Sequence, residues 1–130
     1  MDLETKRMYQ NKIIDNVEFK DKNLANNLCL FNATLNNVTF ENCTCKGIDF
    51  RSAKLKNCKF INCSFIKPDF GLKCNIEGSE FTNNTFDMML GVDKTITKNN
   101  QFKDNICSAK IKDEEGQVKV ITFPLEEEWN

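Results

Sequence analysis

Seven cysteines, 19 carboxylates, 18 cations and no histidine are the side chains from which any chemistry of this 130-residue chain must be built. Without histidine there is no Ser/His/Asp hydrolysis, no Cys/His nucleophile and no histidine-containing zinc site. The cysteines are odd in number, so a fully paired disulfide framework leaves one thiol over, and no Cys-x-x-Cys spacing suggests zinc or a redox couple. Carboxylates such as Asp49 and Asp69 have no pocket-forming feature beside them in the sequence. The expectation is a protein that is not an enzyme and that needs no cofactor or metal.

The elements that carry these residues follow from composition. A length of 130 residues suits one domain with one core, and 18 basic against 19 acidic residues leave a net charge of −1. That balance argues against binding nucleic acid or an anionic membrane through bulk charge. No apolar run approaches the ~18–20 residues of a membrane span, and Met1 leads into the charged stretch Asp2 to Arg7 rather than a signal peptide. The chain reads as soluble, unprocessed and held in a reducing compartment. Sequons at Asn32, Asn37, Asn42, Asn62 and Asn83 leave a glycosylated, secreted form as the other reading. The aromatic set is lopsided, with 11 Phe beside one Trp and one Tyr.

A period of five explains that excess. Every fifth residue from position 30 reads Leu30, Leu35, Phe40, Cys45, Phe50, Leu55, Phe60, Phe65 and Phe70, eight of the nine being Leu or Phe. Two residues earlier in each unit stand small or compact residues: Ala33, Val38, Cys43, Ile48, Ala53, Cys58, Cys63 and Pro68. The same pattern, shifted by one residue, runs back through Leu24, Phe19 and Ile14 and forward through Ile76, Phe81 and Phe86, with slips near Leu28 and Leu72. Five matches neither the 3.6 of a helix nor the 2 of a strand, so each unit contains its own turn. Asn and Gly at Asn37, Asn42, Gly47, Asn57, Asn62, Gly78 and Asn83 tolerate the turn geometry, and the chain must coil around its apolar axis.

This spacing over residues 12–88, extending to 111 if Ala109-Lys110-Ile111 is one more unit, resembles the pentapeptide-repeat family. The resemblance implies an all-β fold, a right-handed quadrilateral β-solenoid of about four coils, each of four five-residue units. At a ~4.8 Å strand spacing four coils stack roughly 19 Å high. Residues twenty or twenty-one apart should then lie above one another. Leu35, Leu55 and Ile76 form one ladder, Phe40, Phe60 and Phe81 a second, Cys45, Phe65 and Phe86 a third, and Leu30, Phe50 and Phe70 a fourth. Asn42, Asn62 and Asn83 share a corner column, and Asn37, Asn57 and Gly78 the next. Cys43 and Cys63 become vertical neighbours, read as buried thiols filling the small position.

The chain divides into an N-terminal cap over 1–11, the regular solenoid over 12–88, and degenerate repeats with a C-terminal hairpin or cap over 89–130. Asp2 to Gln10 lacks the period and holds good helix formers, so a short helical cap is expected there, with Leu3 and Met8 on the first coil. After Asp87 the period decays, with Ile96, Phe102 and Ile106 as irregular anchors. The segments 110–112 and 117–121 flank Asp113-Glu114-Glu115-Gly116 and read as a β-hairpin ending at Phe123-Pro124. Val118, Val120, Phe123 and Trp129 are candidates for a cap or for a homodimer contact through the C-terminal end, Trp129 sitting in the acidic tail 126–128.

Surface charge carries the remaining functional information. Between Lys46 and Lys73 seven basic residues face two acidic ones, a local net of +5, whereas the last twenty residues carry six acidic and two basic, −4. By face, Lys54 and Lys56 fall on one side, Lys59 on the next, Lys46 and Lys67 on the third and Arg51 on the fourth, which makes a girdle. Phe31 follows inward Leu30 and so points outward as a further contact candidate. Family members that protect bacterial DNA gyrase are acidic DNA mimics, but 12–88 carries 10 basic and 9 acidic residues and lacks such a surface. The leading expectation is a cytoplasmic, bacterial or phage interaction module that inhibits a nucleic-acid-handling enzyme, a topoisomerase or host-defence nuclease complex. The alternatives are gyrase-type mimicry and a glycosylated receptor-like domain. For the latter, coils such as Thr39-Phe40-Glu41-Asn42-Cys43 also resemble the luminal domain of a synaptic-vesicle transporter.

Overall fold

A computed structural model describes residues 9–24 and 28–129. The first coil carries β1 (Ile13–Asp15), β2 (Glu18–Lys20) and β3 (Asn23–Leu24), the second β4 (Thr34–Asn36), β5 (Thr39–Glu41) and β6 (Thr44–Lys46). The third carries β7 (Lys54–Lys56), β8 (Lys59–Ile61) and β9 (Ser64–Ile66), the fourth β10 (Asn75–Glu77), β11 (Glu80–Thr82) and β12 (Thr85–Asp87). A 3-10 turn at Val92–Lys94 leads into a fifth level of β13 (Ile96–Lys98), β14 (Gln101–Lys103) and β15 (Ile106–Lys112). β16 (Val118–Pro124) and a single helical turn α1 (Glu126–Trp129) close the chain.

Each three-residue strand presents its middle residue inward and its flanks outward, because side chains alternate along extended backbone. Strands one coil apart pair in parallel, giving faces of order β1-β4-β7-β10-β13, β2-β5-β8-β11-β14 and β3-β6-β9-β12-β15-β16. The fourth face is held by single parallel bridges, Cys29 to Asp49 to Asp69 to Leu90. The register places Leu35 on Leu55, Phe40 on Phe60 and Cys45 on Phe65, the ladders expected from the period. Phenylalanines on one ladder stack face to face, with Phe60 and Phe81 centroids 4.8 Å apart and Phe50 and Phe70 4.7 Å apart. Between ladders they meet edge on, as Phe40 and Phe50 do at 6.4 Å.

The corners turn through left-handed residues, mostly Asn and Asp, from Asn11 (φ 62°) to Asp104 (φ 57°). Their side chains ladder too: Asn37 Nδ2 donates to Asn16 Oδ1 at 2.8 Å, and Asn83 Nδ2 to Asn62 Oδ1 at 2.8 Å. At Gly78 the corner has φ 62° and no side chain, and a Cβ there would lie 2.6 Å from Asn57 Oδ1, which would have to turn aside to admit it.

The small interior positions act as staples between coils. The thiols of Cys43 and Cys63 donate to the carbonyls of Phe19 and Phe40 at 3.1 and 3.3 Å. In the next levels asparagine takes the same role more strongly. Asn84 Nδ2 donates to Phe60 O at 2.8 Å while its Oδ1 accepts the Cys63 N–H at 2.9 Å, and Asn105 Nδ2 repeats the bond to Phe81 O at 2.8 Å. These asparagines are buried with their hydrogen-bonding groups satisfied, as burial of a polar side chain requires.

Three expectations need correction. The period does not decay after Asp87: Thr97, Phe102 and Cys107 continue the inward series, stacked on Ile76, Phe81 and Phe86. Ile96 and Ile106, read as anchors, point outward and are exposed. Ala109-Lys110-Ile111 is not one more five-residue unit, because β15 runs on past its parallel partner to pair antiparallel with β16. The helical cap expected over 2–10 lies outside the described residues except for Tyr9 and Gln10, which form part of a turn, with the Tyr9 ring 6.0 Å from Phe19.

The far end is closed by Trp129. On the fourth ladder Gly91 stands where a large residue would follow Phe70, and the indole packs edge on to Phe70 at 4.8 Å and to Phe81 at 5.7 Å. Its Nε1 donates to Val92 O at 3.1 Å, and Thr97 Oγ1 donates to its carbonyl at 2.8 Å. Trp129 is 2% exposed, so it is a plug and not an outward contact.

Candidate interaction surface

Six of the seven cysteines are buried inside the coils and Cys29 is half-buried; all seven are free thiols. Burial removes solvent from the thiolate and so favours the protonated form, raising Cys63 from the ordinary 9.0 to about 11 and Cys107 to about 12, with Cys45, Cys58 and Cys74 also raised. Glu126 adds to the shift at Cys107. These thiols are core material. A neutral-pH thiol reagent is therefore expected to modify Cys29 well ahead of the other six, and all seven after denaturation; fewer than seven would reveal a disulfide. The same shifts set a pH dependence. Above pH 9 the unfolded chain gives up thiol protons that the folded chain keeps, so stability falls from about pH 9 towards pH 11 for Cys63, by at most about 1.4 kcal/mol per pH unit per thiol. A denaturation midpoint flat across that range would contradict this account.

The fourth face holds a polar cluster. Asp49 and Arg51 flank inward Phe50 and so project from the same side, where Arg51 grips Asp49 with Nε to Oδ1 at 3.0 Å and Nη2 to Oδ2 at 2.9 Å. Asp69, one coil up, lies 3.8 Å from Arg51 Nε. The Arg51 guanidinium also sits 5.3 Å above the centre of the Phe31 ring. Phe31, Asp49 and Arg51, together with Gln10, Cys29 and Leu72, line an open cavity of ≈ 470 Å³. A depression therefore does lie beside Asp49, contrary to the sequence reading, but the carboxylate is committed to Arg51. Phe31 is half-buried under the guanidinium, and Arg51 is withdrawn from the basic girdle. Among the described residues no group of three or more His, Cys, Asp or Glu is placed to hold a metal.

The lysines of the girdle stay free. Lys54 and Lys56 flank Leu55 on β7, Lys59 starts β8, Lys46 ends β6 and Lys67 occupies a corner; all five are exposed, and none has an ion-pair partner among the described residues. They lie on three sides of the second and third coils without converging on one groove. Elsewhere charges compensate, as where Lys20 meets Glu41 at 3.2 Å and is raised in pKa by that hydrogen bond.

The C-terminal hairpin is the other exposed feature. Phe123 is buried opposite Cys107, but Val118 and Val120 are more than half exposed, and β16 is the last strand of its sheet. Its dimer candidates thus separate: Phe123 and Trp129 face the core, whereas Val118 and Val120 face solvent. Sequence reasoning missed α1 altogether, although Leu125 and Trp129, four apart, bracket the acidic run and are both buried.

Four of the five sequon asparagines donate one hydrogen bond from Nδ2 within the corner columns: Asn32 to Asn11, Asn37 to Asn16, Asn42 to Asp21 and Asn83 to Asn62. No helix among the described residues is long and apolar enough to cross a membrane.

Residues 29–65, from the end of the first coil through the third, match the family model of pentapeptide repeats in eight copies. No curated protein matches the chain. The chain thus matches that repeat and folds as a repeat solenoid, a scaffold of a kind suited to protein interaction.

Proposed function

We propose that this pentapeptide-repeat solenoid is a cytoplasmic protein-binding module that blocks a bacterial nucleic-acid-handling enzyme, a host-defence nuclease complex or a topoisomerase. The observation that carries the binding role is the contrast between its interior and its surface. Six thiols are buried and Asp49 is paired with Arg51, while Lys46, Lys54, Lys56, Lys59 and Lys67 are exposed and have no ion-pair partner among the described residues. Such a girdle suits an acidic protein surface, or the phosphates of nucleic acid held by the enzyme, better than a free duplex, because its charges are spread over three faces. The choice of enzyme class rests on the family resemblance.

Gyrase-type DNA mimicry is less well supported, since residues 12–88 carry 10 basic and 9 acidic residues and no face is uniformly acidic. A glycosylated receptor-like role, which paired cysteines would support, is less well supported, since the cysteines are free thiols.

The triple charge reversal Lys54→Glu, Lys56→Glu and Lys59→Glu is expected to weaken capture of the enzyme from bacterial lysate, and inhibition of purified gyrase or nuclease complex, by at least about tenfold. Thermal unfolding should shift little, because the three side chains are exposed. Recovery of no nucleic-acid-handling enzyme would sink the partner class, and unchanged binding by the folded triple variant would sink the girdle.

A further inference from the structure

Among the described residues β16 is the longest strand with an unpaired edge. Its bonds to β15 alternate, and the Asp113 N–H to Gln117 O bond at 2.9 Å sets their phase. Counting from that pair, Lys119, Ile121 and Phe123 exchange bonds with β15, whereas Val118, Val120, Thr122 and Pro124 turn their backbone groups to the free edge. Pro124 fits this phase, since its missing N–H falls on the open side. The edge therefore offers N–H donors at Val118, Val120 and Thr122 and carbonyls at all four positions, in a strand exposed from Val118 to Thr122. Other sheet edges at this end of the solenoid are three-residue strands.

Charge brackets this edge at both ends. Before Val118 stands the turn Asp113-Glu114-Glu115, and after Pro124 stand Glu126, Glu127 and Glu128. Among the described residues only Asp113 of these six is in an ion pair, with Lys119 at 3.6 Å. Between the acidic ends the side chains are β-branched and exposed: Val118, Val120 and Ile121. A second copy of this chain added antiparallel about a two-fold axis would set the acidic turn of each copy against the acidic 126–128 turn of the other, a like-charge clash at both ends.

We propose that the β16 edge takes an extended segment of a partner protein as an added antiparallel strand, about seven residues long, β-branched in the middle and carrying Lys or Arg at both ends. Backbone bonds along Val118, Val120 and Thr122 supply the attachment, and the acidic ends select the charge pattern. The surface lies apart from the lysine girdle, so it goes beyond the reading above and tests separately from it.

The probe is a nine-residue capped peptide of alternating Val and Thr with two basic residues at each end, titrated into the full chain. Its binding is expected to be at least tenfold tighter than that of the same peptide with Glu at each end, and to slow exchange of the Val118, Val120 and Thr122 amides. Val120→Pro removes an edge donor without breaking a bond to β15, so it should abolish binding while unfolding remains cooperative. Asp113 is already paired with Lys119, so Glu114→Lys with Glu127→Lys serves as the charge control and should reverse the preference between the two peptides. Equal binding of both peptides, no protection at the three amides, or full binding by folded Val120→Pro would overturn the proposal. So would a doubling of mass in solution that Val120→Pro abolishes, which would assign the edge to a second copy. The lysine triple variant should bind the peptide normally; loss of girdle binding with retention of the peptide, or the reverse, tells the two surfaces apart.

Discussion

Phe60→Ala is expected to lower the free energy of unfolding by about 3–5 kcal/mol, the range for emptying a buried aromatic site. Phe60 has no exposed surface and lies between the rings of Phe40 at 5.1 Å and Phe81 at 4.8 Å, with Phe65 edge on at 5.8 Å. Its neighbours cannot close the gap by sliding, because strands on either side are bonded in register at Phe40 and Phe81. The lost contacts are therefore not recovered by collapse. The comparison is Lys59→Ala one residue away on the exposed side of β8, which should cost no more than about 0.5 kcal/mol. Denaturant titration of both variants checks this; a Phe60→Ala loss below about 1 kcal/mol would mean that the aromatic ladder is not what sustains the core.

Trp129→Ala should have a comparable effect, about 3–5 kcal/mol, by a different route. The indole covers Phe70, Phe81 and Phe86 at the last full coil and fills the place left vacant at Gly91. Truncation uncovers those rings and also leaves the Val92 carbonyl without the indole N–H. Coils in a solenoid contact only their neighbours, so damage should begin at one end. Hydrogen exchange is the discriminating measurement: amides of β13, β14 and the hairpin should lose protection before those of β4 to β9. Equal loss through all coils, or none, would show that Trp129 does not act as a terminal plug.

The readability of this fold varied along the chain for a physical reason. Where the inward position is Phe or Leu the period of five is plain, and Leu35, Phe40, Phe50 and Phe60 lie in the ladders it implies. At the fifth level the inward and small positions pass to Thr97, Asn100 and Asn105, which pack by hydrogen bonding instead of by apolar burial. A search for apolar recurrence loses the repeat there, although Asn84, Asn100 and Asn105 share its phase. The cap escaped for the opposite reason, since Glu126, Glu127 and Glu128 look solvated while Leu125 and Trp129 carry the packing. On the surface, assignment to faces comes directly from the count of five. Pairing does not: a charge count takes Arg51 as a free cation, although Asp49 and Arg51, either side of inward Phe50, are placed to meet.

The spacing between coils also says how such a molecule can change length. From Phe40 to Phe60 it is twenty residues, but from Phe19 to Phe40, from Phe60 to Phe81 and from Phe81 to Phe102 it is twenty-one. The extra residues all fall beside the fourth face, between 24 and 29, between 69 and 75 and between 90 and 96. That face is joined by single bridges instead of three-residue strands, so an added residue bulges there without shifting the other three. One edge of the molecule thus serves as an expansion joint. Duplication or deletion of a stretch of twenty or twenty-one codons would change the number of levels while leaving every remaining ring above another ring, which makes the height of the rod, and the spacing of whatever its faces touch, a quantity that evolution can set in whole steps.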